Sequence, residues 1–267
     1  MALDGPTIAP EADALPMTAA QPDVIIQAQD LTVEYGPVTA VSHLNLEVTG
    51  GRVLGLLGGN GAGKSSTLRA IAAVNPPTEG TLLVDGCDLS DPRQAESVRK
   101  VIGYCPDVGG LIRQATVREH IGITLASRDG LEDWPYALEL VEEFGLLQAL
   151  DRETHGFSHG MSRRLSVLLA AISAKRVLIL DEPFDGVDPL GVNATQAVIS
   201  RARDAGLAVL ISTHLLRLLT LVSDDIAVMV SGSIVETAPA SDFFGTVGEE
   251  HYESLLRAPS ALLSESH

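Results

Sequence analysis

The stretch Gly58-Gly59-Asn60-Gly61-Ala62-Gly63-Lys64-Ser65-Ser66 decides the fold of this 267-residue chain. It follows the apolar run 52–57 and leads into a helical pattern at 66–73. Its glycines let consecutive backbone N–H groups turn inward to form an anion-binding concavity, and the next helix points its positive end at the same place. The lysine can neutralise terminal phosphates, and the serine after it can ligate Mg²⁺. We therefore interpret all nine residues as a nucleotide-binding loop.

The charge balance and the hydropathy limit the class of protein. The chain has 18 Lys and Arg against 35 Asp and Glu, so its formal net charge is −17. That charge repels phosphate backbones and anionic lipid surfaces, so we predict no nucleic-acid partner. No part of the sequence approaches the roughly 20 apolar residues of a membrane-spanning helix. The cysteines Cys87 and Cys105 fit no metal-binding or redox spacing, and the N-terminus is unlike a signal peptide, so we predict a cytoplasmic location.

The order of the periodic segments predicts an α/β fold. Apolar strand patterns occur at 177–180, 208–212 and 226–230, and a helical pattern at 190–205 lies between the first two. This βαβ alternation predicts a mostly parallel sheet, with ligands bound at the carboxyl ends of its strands. Other strand patterns lie at 24–34, 38–41, 44–48, 81–84 and 101–104, and other helical patterns at 116–126, 134–144, 161–173, 241–244 and 252–257.

The domain organisation follows from the same patterns. Residues 1–22 are rich in Ala and Pro and show no periodicity, so we predict a disordered tail there. We expect one nucleotide-binding domain at 23–245, with a helical subdomain at about 107–173, and a C-terminal helix and tail at 246–267.

Two polar strand ends supply candidate catalytic groups. The strand at 177–180 runs into Asp181-Glu182, and the strand at 208–212 runs into Thr213-His214. At the ligand-binding edge of a parallel sheet, Asp181 suits Mg²⁺, and Glu182 can polarise an attacking water. His214 can position the water and the γ-phosphate by hydrogen bonds. We predict Glu182 and His214 as catalytic residues and Ser65 and Asp181 as metal ligands.

A further motif carries a family resemblance. The sequence Phe157-Ser158-His159-Gly160-Met161 lies about twenty residues before the carboxylate strand and just before a helical pattern. With the loop and the strand ends, it resembles the signature of the nucleotide-binding subunits of ABC transporters, over roughly residues 23–245. The resemblance implies a P-loop NTPase core with a mostly parallel sheet, an N-terminal antiparallel β subdomain and an inserted helical subdomain.

The same resemblance implies the ligands and a second ATP-binding subunit. It implies that ATP and Mg²⁺ are bound between two subunits packed head to tail, as a homodimer or a heterodimer. Ser158, His159, Gly160 and Met161 of one subunit would then cap the ATP held by the loop of the other, with Ser158, the Gly160 amide and the helix N-terminus as donors.

Three more positions match the family by place. Tyr35 corresponds to the aromatic residue that stacks on adenine, and Asp188 to the D-loop that crosses the dimer interface. Asp107 stands where the family has a glutamine near the metal; its carboxylate can still ligate Mg²⁺ but cannot donate a hydrogen bond. His159 replaces a signature glycine. We expect an active ATPase, with a reduced or asymmetric site as the alternative.

The leading functional hypothesis is an ATPase subunit that drives a separate integral-membrane permease. We expect it on the inner face of the cell membrane, attached through the permease, with a helix of the permease docking near 107–118. Export is favoured by resemblance alone. One alternative is a soluble ABC-type ATPase acting on DNA or ribosomes, which the negative charge disfavours. Another is a regulatory subunit that binds ATP at a weakened site, as Asp107 and His159 suggest.

Overall fold

The computed structural model describes residues 23–128 and 130–257, so the tail predicted at 1–22 lies outside the described residues, as does the end of the predicted C-terminal tail. The strands are β1 (Val24–Tyr35), β2 (Val38–Thr49), β3 (Val53–Leu57), β4 (Glu79–Val84), β5 (Cys87–Asp88), β6 (Ile102–Cys105), β7 (Val177–Asp181), β8 (Ala208–Thr213), β9 (Asp225–Val230) and β10 (Ser233–Pro239). The α-helices are α1 (Lys64–Ile71), α2 (Pro92–Arg99), α3 (Val117–Ala126), α4 (Trp134–Glu143), α5 (His159–Ser173), α6 (Pro189–Asp204), α7 (Leu216–Val222) and α8 (Gly245–Arg257). None of these helices combines the length and the apolar character that crossing a membrane requires.

A six-stranded sheet forms the centre of the molecule, and the predicted α/β fold is confirmed. Its strand order is β10-β9-β3-β8-β7-β6, and every pair is parallel except β10 with β9. Every residue of β3, β7 and β8 is buried, as is usual for parallel strands covered on both faces. The carboxyl ends of these three adjacent strands therefore meet at one edge, where they position the loop after β3, Asp181-Glu182 and His214.

A second, four-stranded antiparallel sheet packs beside the first. Its order is β2-β1-β4-β5, and it is built mainly by the long β1–β2 hairpin. Its buried residues share one core with α1 and one face of the central sheet. This sheet is the antiparallel subdomain that the resemblance implied.

The helical region between β6 and β7 packs on the opposite face of the central sheet. Helix α3 begins at a capping box in which Thr116 and Glu119 satisfy each other's backbone N–H groups. Helix α5 lies against β6 so closely that a Cβ on Gly103 would overlap the Ala170 carbonyl. This close packing ties the position of α5 to the strand that leads into Asp107.

Several elements differ from the sequence prediction. The predicted strands 38–41 and 44–48 are one strand, β2, which stays paired with β1 on both sides of His43 although His43 has a left-handed conformation (φ 50°). Helix α2 was not predicted because only Ala95 and Val98 of it are buried, too few to give a periodic pattern. The elements α7, β5 and β10 were also missed. The helix predicted at 241–244 is a single 3₁₀ turn, Ala240–Phe243, and α8 starts at Gly245 rather than near 252.

Candidate nucleotide-binding site

The loop between β3 and α1 is shaped by its glycines. Gly61 and Gly63 have φ values of 80° and 103°, a backbone region that other residues rarely adopt. A Cβ on Gly63 would also lie 2.5 Å from the Ala40 carbonyl oxygen of β2. The loop can therefore fold tightly between the two sheets, and α1 begins directly after it at Lys64.

Lys64 is held inside this loop. Its Nζ donates to the carbonyls of Gly58 (2.7 Å) and Gly59 (3.2 Å), and the side chain is only 6% exposed. The same Nζ lies 3.5 Å from Glu182 Oε1. The positive charge is thus placed between the loop and the carboxylate at the end of β7.

A cavity of about 480 Å³ opens over the loop. It brings together loop residues, Asp107 and Glu182 with three residues of the β1–β2 hairpin that the sequence had not indicated. Its lining is Val38, Thr39, Ala40, Asn60, Gly61, Ala62, Gly63, Lys64, Ser65, Ser66, Asp107 and Glu182. The predicted loop residues Gly58 and Gly59 lie next to it and receive the Lys64 ammonium.

Asp181 is fully buried beneath the cavity. Its Oδ1 accepts hydrogen bonds from Ser65 Oγ (3.1 Å) and Ser212 Oγ (2.5 Å), whereas its Oδ2 has no hydrogen-bond partner within the described part of the chain. A buried carboxylate oxygen without a partner is costly, so Asp181 and Ser65 fit a cation. No group of three or more His, Cys, Asp or Glu within 23–128 and 130–257 could hold a metal ion alone. A hydroxyl and one carboxylate, completed by phosphate and water oxygens, is the donor set that Mg²⁺ prefers.

Glu182 lies above Asp181 in a strained conformation. Its φ is 47°, and its backbone N–H donates to both the carbonyl and the Oγ of Ser212, each at 3.1 Å. Its side chain is 13% exposed, and Oε2 lies 3.2 Å from His214 Nδ1. A strained residue fixed by its neighbours is common at active sites, and this one directs a carboxylate toward the cavity.

Ser212 is a candidate functional residue that the sequence reasoning missed. It is completely buried, and its one hydroxyl contacts the carboxylate of Asp181, the last residue of β7, and the backbone N–H of Glu182, the residue after it. The available signal was a hydroxyl residue within the apolar strand before His214. The hydrogen-bond partners of Ser212 could not be identified without the structure, because they depend on the parallel pairing that places Ser212 beside Asp181.

The predicted signature residues lie away from this cavity. Ser158 caps α5 by accepting a hydrogen bond from the Met161 N–H at 3.2 Å. His159 Nε2 lies 3.1 Å from Asp185 Oδ2, and a Cβ on Gly160 would lie 2.7 Å from the Gly186 carbonyl oxygen. None of the four predicted signature residues is among those lining the cavity over the loop.

The three remaining predicted residues differ in their positions relative to the cavity. Asp188 caps α6 by accepting from the Gly191 N–H at 3.0 Å, and its Oδ2 lies 3.8 Å from Arg164 Nη1 of the signature helix. Tyr35 is 41% exposed, accepts a hydrogen bond from Asn75 Nδ2 and does not line the cavity. Asp107 does line it. A single chain therefore brings together the loop, the strand-end carboxylates and Asp107, but not Tyr35 or the signature.

Comparison with known proteins gives a consistent result. A family model described as ABC transporter matches residues 41–185. The lipopolysaccharide export system ATP-binding protein LptB of Haemophilus influenzae is 32% identical over 216 residues, which cover 80% of this chain and 90% of that protein. The bacitracin transport ATP-binding protein BcrA of Bacillus licheniformis is 32% identical over 216 residues, covering 80% and 70%. A solved structure of an ATP binding subunit of an ABC transporter matches with a TM-score of 0.79 at 27% identity, over 86% of this chain and 99% of that one.

Proposed function

Because this chain belongs to the ABC transporter family as an ATP-binding subunit, we propose that it hydrolyses ATP to drive a separate integral-membrane permease. The observation that carries this proposal is the meeting of Lys64, Asp181 and Glu182 under one cavity at the carboxyl edge of the sheet. A cation, a buried acceptor and a carboxylate that faces the same cavity are the parts that phosphoryl transfer to water needs.

The phosphates of ATP would bind to the loop. Backbone N–H groups of 58–66 and the N-terminus of α1 would contact the β- and γ-phosphates, and Lys64 would exchange its loop carbonyls for phosphate oxygens. Ser65 and Asp181 would hold Mg²⁺, with Asp107 as a further oxygen donor beside them. When bound, Mg²⁺ supplies positive charge that neutralises the phosphate oxygens.

Glu182 would act as the general base. Its carboxylate accepts a proton from a water as the water oxygen bonds to the γ-phosphorus, and the bond from that phosphorus to the bridging oxygen of ADP breaks. Inorganic phosphate and ADP are the products. His214, 3.2 Å from Glu182, would hold the carboxylate and hydrogen-bond the γ-phosphate.

A second subunit would complete the site. Since Ser158, His159, Gly160 and Met161 lie away from the cavity of their own chain, we propose that they cap ATP bound to another copy or a related subunit. Asp188 would lie at that interface. The exposed ring of Tyr35, at the end of β1, would stack on adenine after leaving Asn75.

We also propose that transport is outward and that the protein works on the inner face of the cell membrane. The relatives named for lipopolysaccharide export and bacitracin transport support this direction. The permease would dock near 107–118, where Val108 and Ile112 are 78% and 53% exposed. A docked helix of the permease would cover these two exposed apolar side chains.

The test compares nucleotide binding and hydrolysis in two variants. Lys64→Ala should lose binding of Mg-ATP measured by calorimetry, because the γ-phosphate loses its charge partner. Lys100→Ala is the matched control, since Lys100 is exposed at the end of α2. Equal heats and affinities for the parent and Lys64→Ala would overturn the proposal. Binding by the parent without phosphate release, alone or with its co-purified permease, would favour a regulatory subunit instead.

A further inference from the structure

We propose that Arg163 is a positioning residue for ATP hydrolysis: it locks Asp107, the end of β7 and the signature helix α5 into one unit. The inference rests on the proposed function and assigns to this side chain a role in transmitting movement between the cavity and the signature. Arg163 itself does not line the nucleotide cavity.

The contacts of Arg163 reach three segments. It lies in α5, five residues after Ser158, and its side chain is 3% exposed. Its Nη1 donates to the carbonyls of Pro106 (2.8 Å) and Asp181 (3.2 Å). Its Nη2 donates to Asp107 Oδ1 at 3.0 Å and also to the Asp107 carbonyl. One planar guanidinium thus joins a helix, a strand end and the segment after β6.

Charge burial makes this link strong. Removing the partner of a buried charge is strongly destabilising, because the remaining charge stays uncompensated. Within 23–128 and 130–257, Asp107 is the one carboxylate that forms an ion pair with Arg163. Movement of Asp107 away from Arg163 would therefore be opposed unless α5 moved with it.

Because of the position of Asp107, this link can couple the nucleotide cavity to the signature. Asp107 lines the nucleotide cavity, and the exposed residues after it belong to the proposed permease surface. Arg163 lies about 7.5 Å along the helix from Ser158, at 1.5 Å per residue. If nucleotide or the permease moved Asp107, the Arg163 side chain would transmit that movement. It would reach both the end of β7 at Asp181 and the signature.

A lysine cannot replace this arginine fully. An ammonium is a point charge on a flexible stem, whereas the guanidinium presents its donors in a fixed planar fork that can contact several acceptors at once. Arg163→Lys should keep the ion pair with Asp107 and lose part of the contact with the Pro106 and Asp181 carbonyls. The substitution therefore separates the geometry of the link from its charge.

The experiment measures steady-state phosphate release by the full chain, with Arg163→Lys, Asp107→Asn and the double variant. We expect kcat to fall about 10- to 100-fold in each single variant, because misplaced groups lose that much rate. In Arg163→Lys, KM for Mg-ATP should change less than about threefold, because Lys64, the loop and the proposed Mg²⁺ ligands remain intact. The double variant should lose little more than either single one, as residues acting as a unit do.

A second readout tests the link to the signature. In a Glu182→Gln background, ATP-dependent dimerisation measured by light scattering should weaken in Arg163→Lys. Arg128→Lys is the control, because Arg128 is a half-buried arginine that, like Arg163, donates to a backbone carbonyl, here that of Ile102 at the other end of β6. It should leave kcat and dimerisation unchanged.

Two results would overturn the inference. One is a parental kcat for Arg163→Lys; the other is a loss of kcat in Arg128→Lys equal to that in Arg163→Lys, which would indicate a general effect on the fold. Failure of the proposed function would look different, since the parent itself would then release no phosphate or bind no ATP. The parent is therefore measured first.

Discussion

Ser212 donates a hydrogen bond from its Oγ to Asp181 Oδ1, across the parallel pairing of β8 with β7. The same Oγ accepts the backbone N–H of Glu182 at 3.1 Å. One buried hydroxyl thus fixes the candidate metal ligand and the backbone of the candidate general base. Its two hydrogen-bonding roles run in opposite directions, which a hydroxyl can satisfy and an aliphatic side chain cannot.

Ser212→Ala should therefore impair catalysis more than binding. We expect kcat for ATP to fall about tenfold and the free energy of unfolding to fall by about 1–3 kcal/mol, the cost of an unsatisfied buried group. Steady-state phosphate release and urea unfolding provide the measurements. Ser173→Ala is the control, because Ser173 is also buried and donates to a carbonyl within α5, that of Leu169. Parental kcat in Ser212→Ala would show that the hydroxyl has no part in positioning.

Glu182→Gln should bind Mg-ATP with nearly the parental affinity and hydrolyse it at least about 100 times more slowly, since general bases contribute 10²–10⁴-fold. Glutamine keeps the shape of the side chain and loses the capacity to accept the water's proton. Single-turnover phosphate release checks the rate, and calorimetry checks the affinity. Glu139→Gln, on the exposed side of α4, should behave as the parent. If Glu182→Gln turned over at the parental rate, another group would have to be the base.

Gly160→Ala should weaken dimer formation and leave nucleotide binding unchanged. The added Cβ would lie 2.7 Å from the Gly186 carbonyl oxygen, so the signature must shift against the segment that leads to Asp188. We expect ATP-dependent dimerisation to weaken in a Glu182→Gln background, while the affinity of the monomer for ATP stays unchanged. The matched control is Gly156→Ala, whose Cβ would lie 3.7 Å from the Arg152 guanidinium, an ordinary van der Waals contact. Equal dimerisation by both alanine variants would contradict the prediction.

The loop and the strand-end carboxylates could be predicted because their signals are local. A glycine-rich stretch followed by Lys64 predicts a phosphate-binding loop from about ten neighbouring residues alone. The apolar runs that end in Asp181-Glu182 and in His214 predict strand ends in the same way. The parallel sheet followed from the same runs. These are the features whose structure depends least on distant contacts.

The contacts of Ser212 and Arg163 could not be predicted in the same way. A serine in an apolar strand, or an arginine in a helix, gives no indication of its partner when that partner lies 31 or 56 residues away. Their roles depend on the register of β8 against β7 and on the close packing of α5 on Gly103. The hairpin residues of the cavity, Val38, Thr39 and Ala40, were missed because they enter it through packing of one sheet against the other.

The two cysteines should differ sharply in reactivity. Cys105 is fully buried at the end of β6, and burial raises the pKa of its thiol to about 11. Because the thiolate is the reactive form, Cys105 should resist alkylation at pH 8. Cys87 is partly exposed and should react first. Peptide mass spectrometry after iodoacetamide treatment should find one label on the native protein and two in urea. Rapid native labelling of Cys105 would show that the segment before Asp107 opens readily.

The pair of Glu143 and Arg201 should make part of the stability depend on pH. Both carboxylate oxygens accept from the guanidinium, at 2.7 and 2.6 Å, and this contact lowers the pKa of Glu143 below the ordinary value of a glutamate. A carboxyl group whose pKa is lower in the folded state stabilises the fold above its unfolded pKa, and this contribution disappears as the pH falls through the folded value.

Glu143→Gln should therefore unfold at lower urea than the parent at pH 7, and the difference should shrink as the pH falls below about 4.5. The side chains are 37% and 41% exposed, so solvent screening keeps the effect small and it should weaken further in 1 M salt. Glu132→Gln, in an exposed turn before α4, provides the control. A difference between Glu143→Gln and the parent that stayed constant from pH 7 to pH 3 would mean that packing between α4 and α6, rather than the charge of Glu143, accounts for the loss.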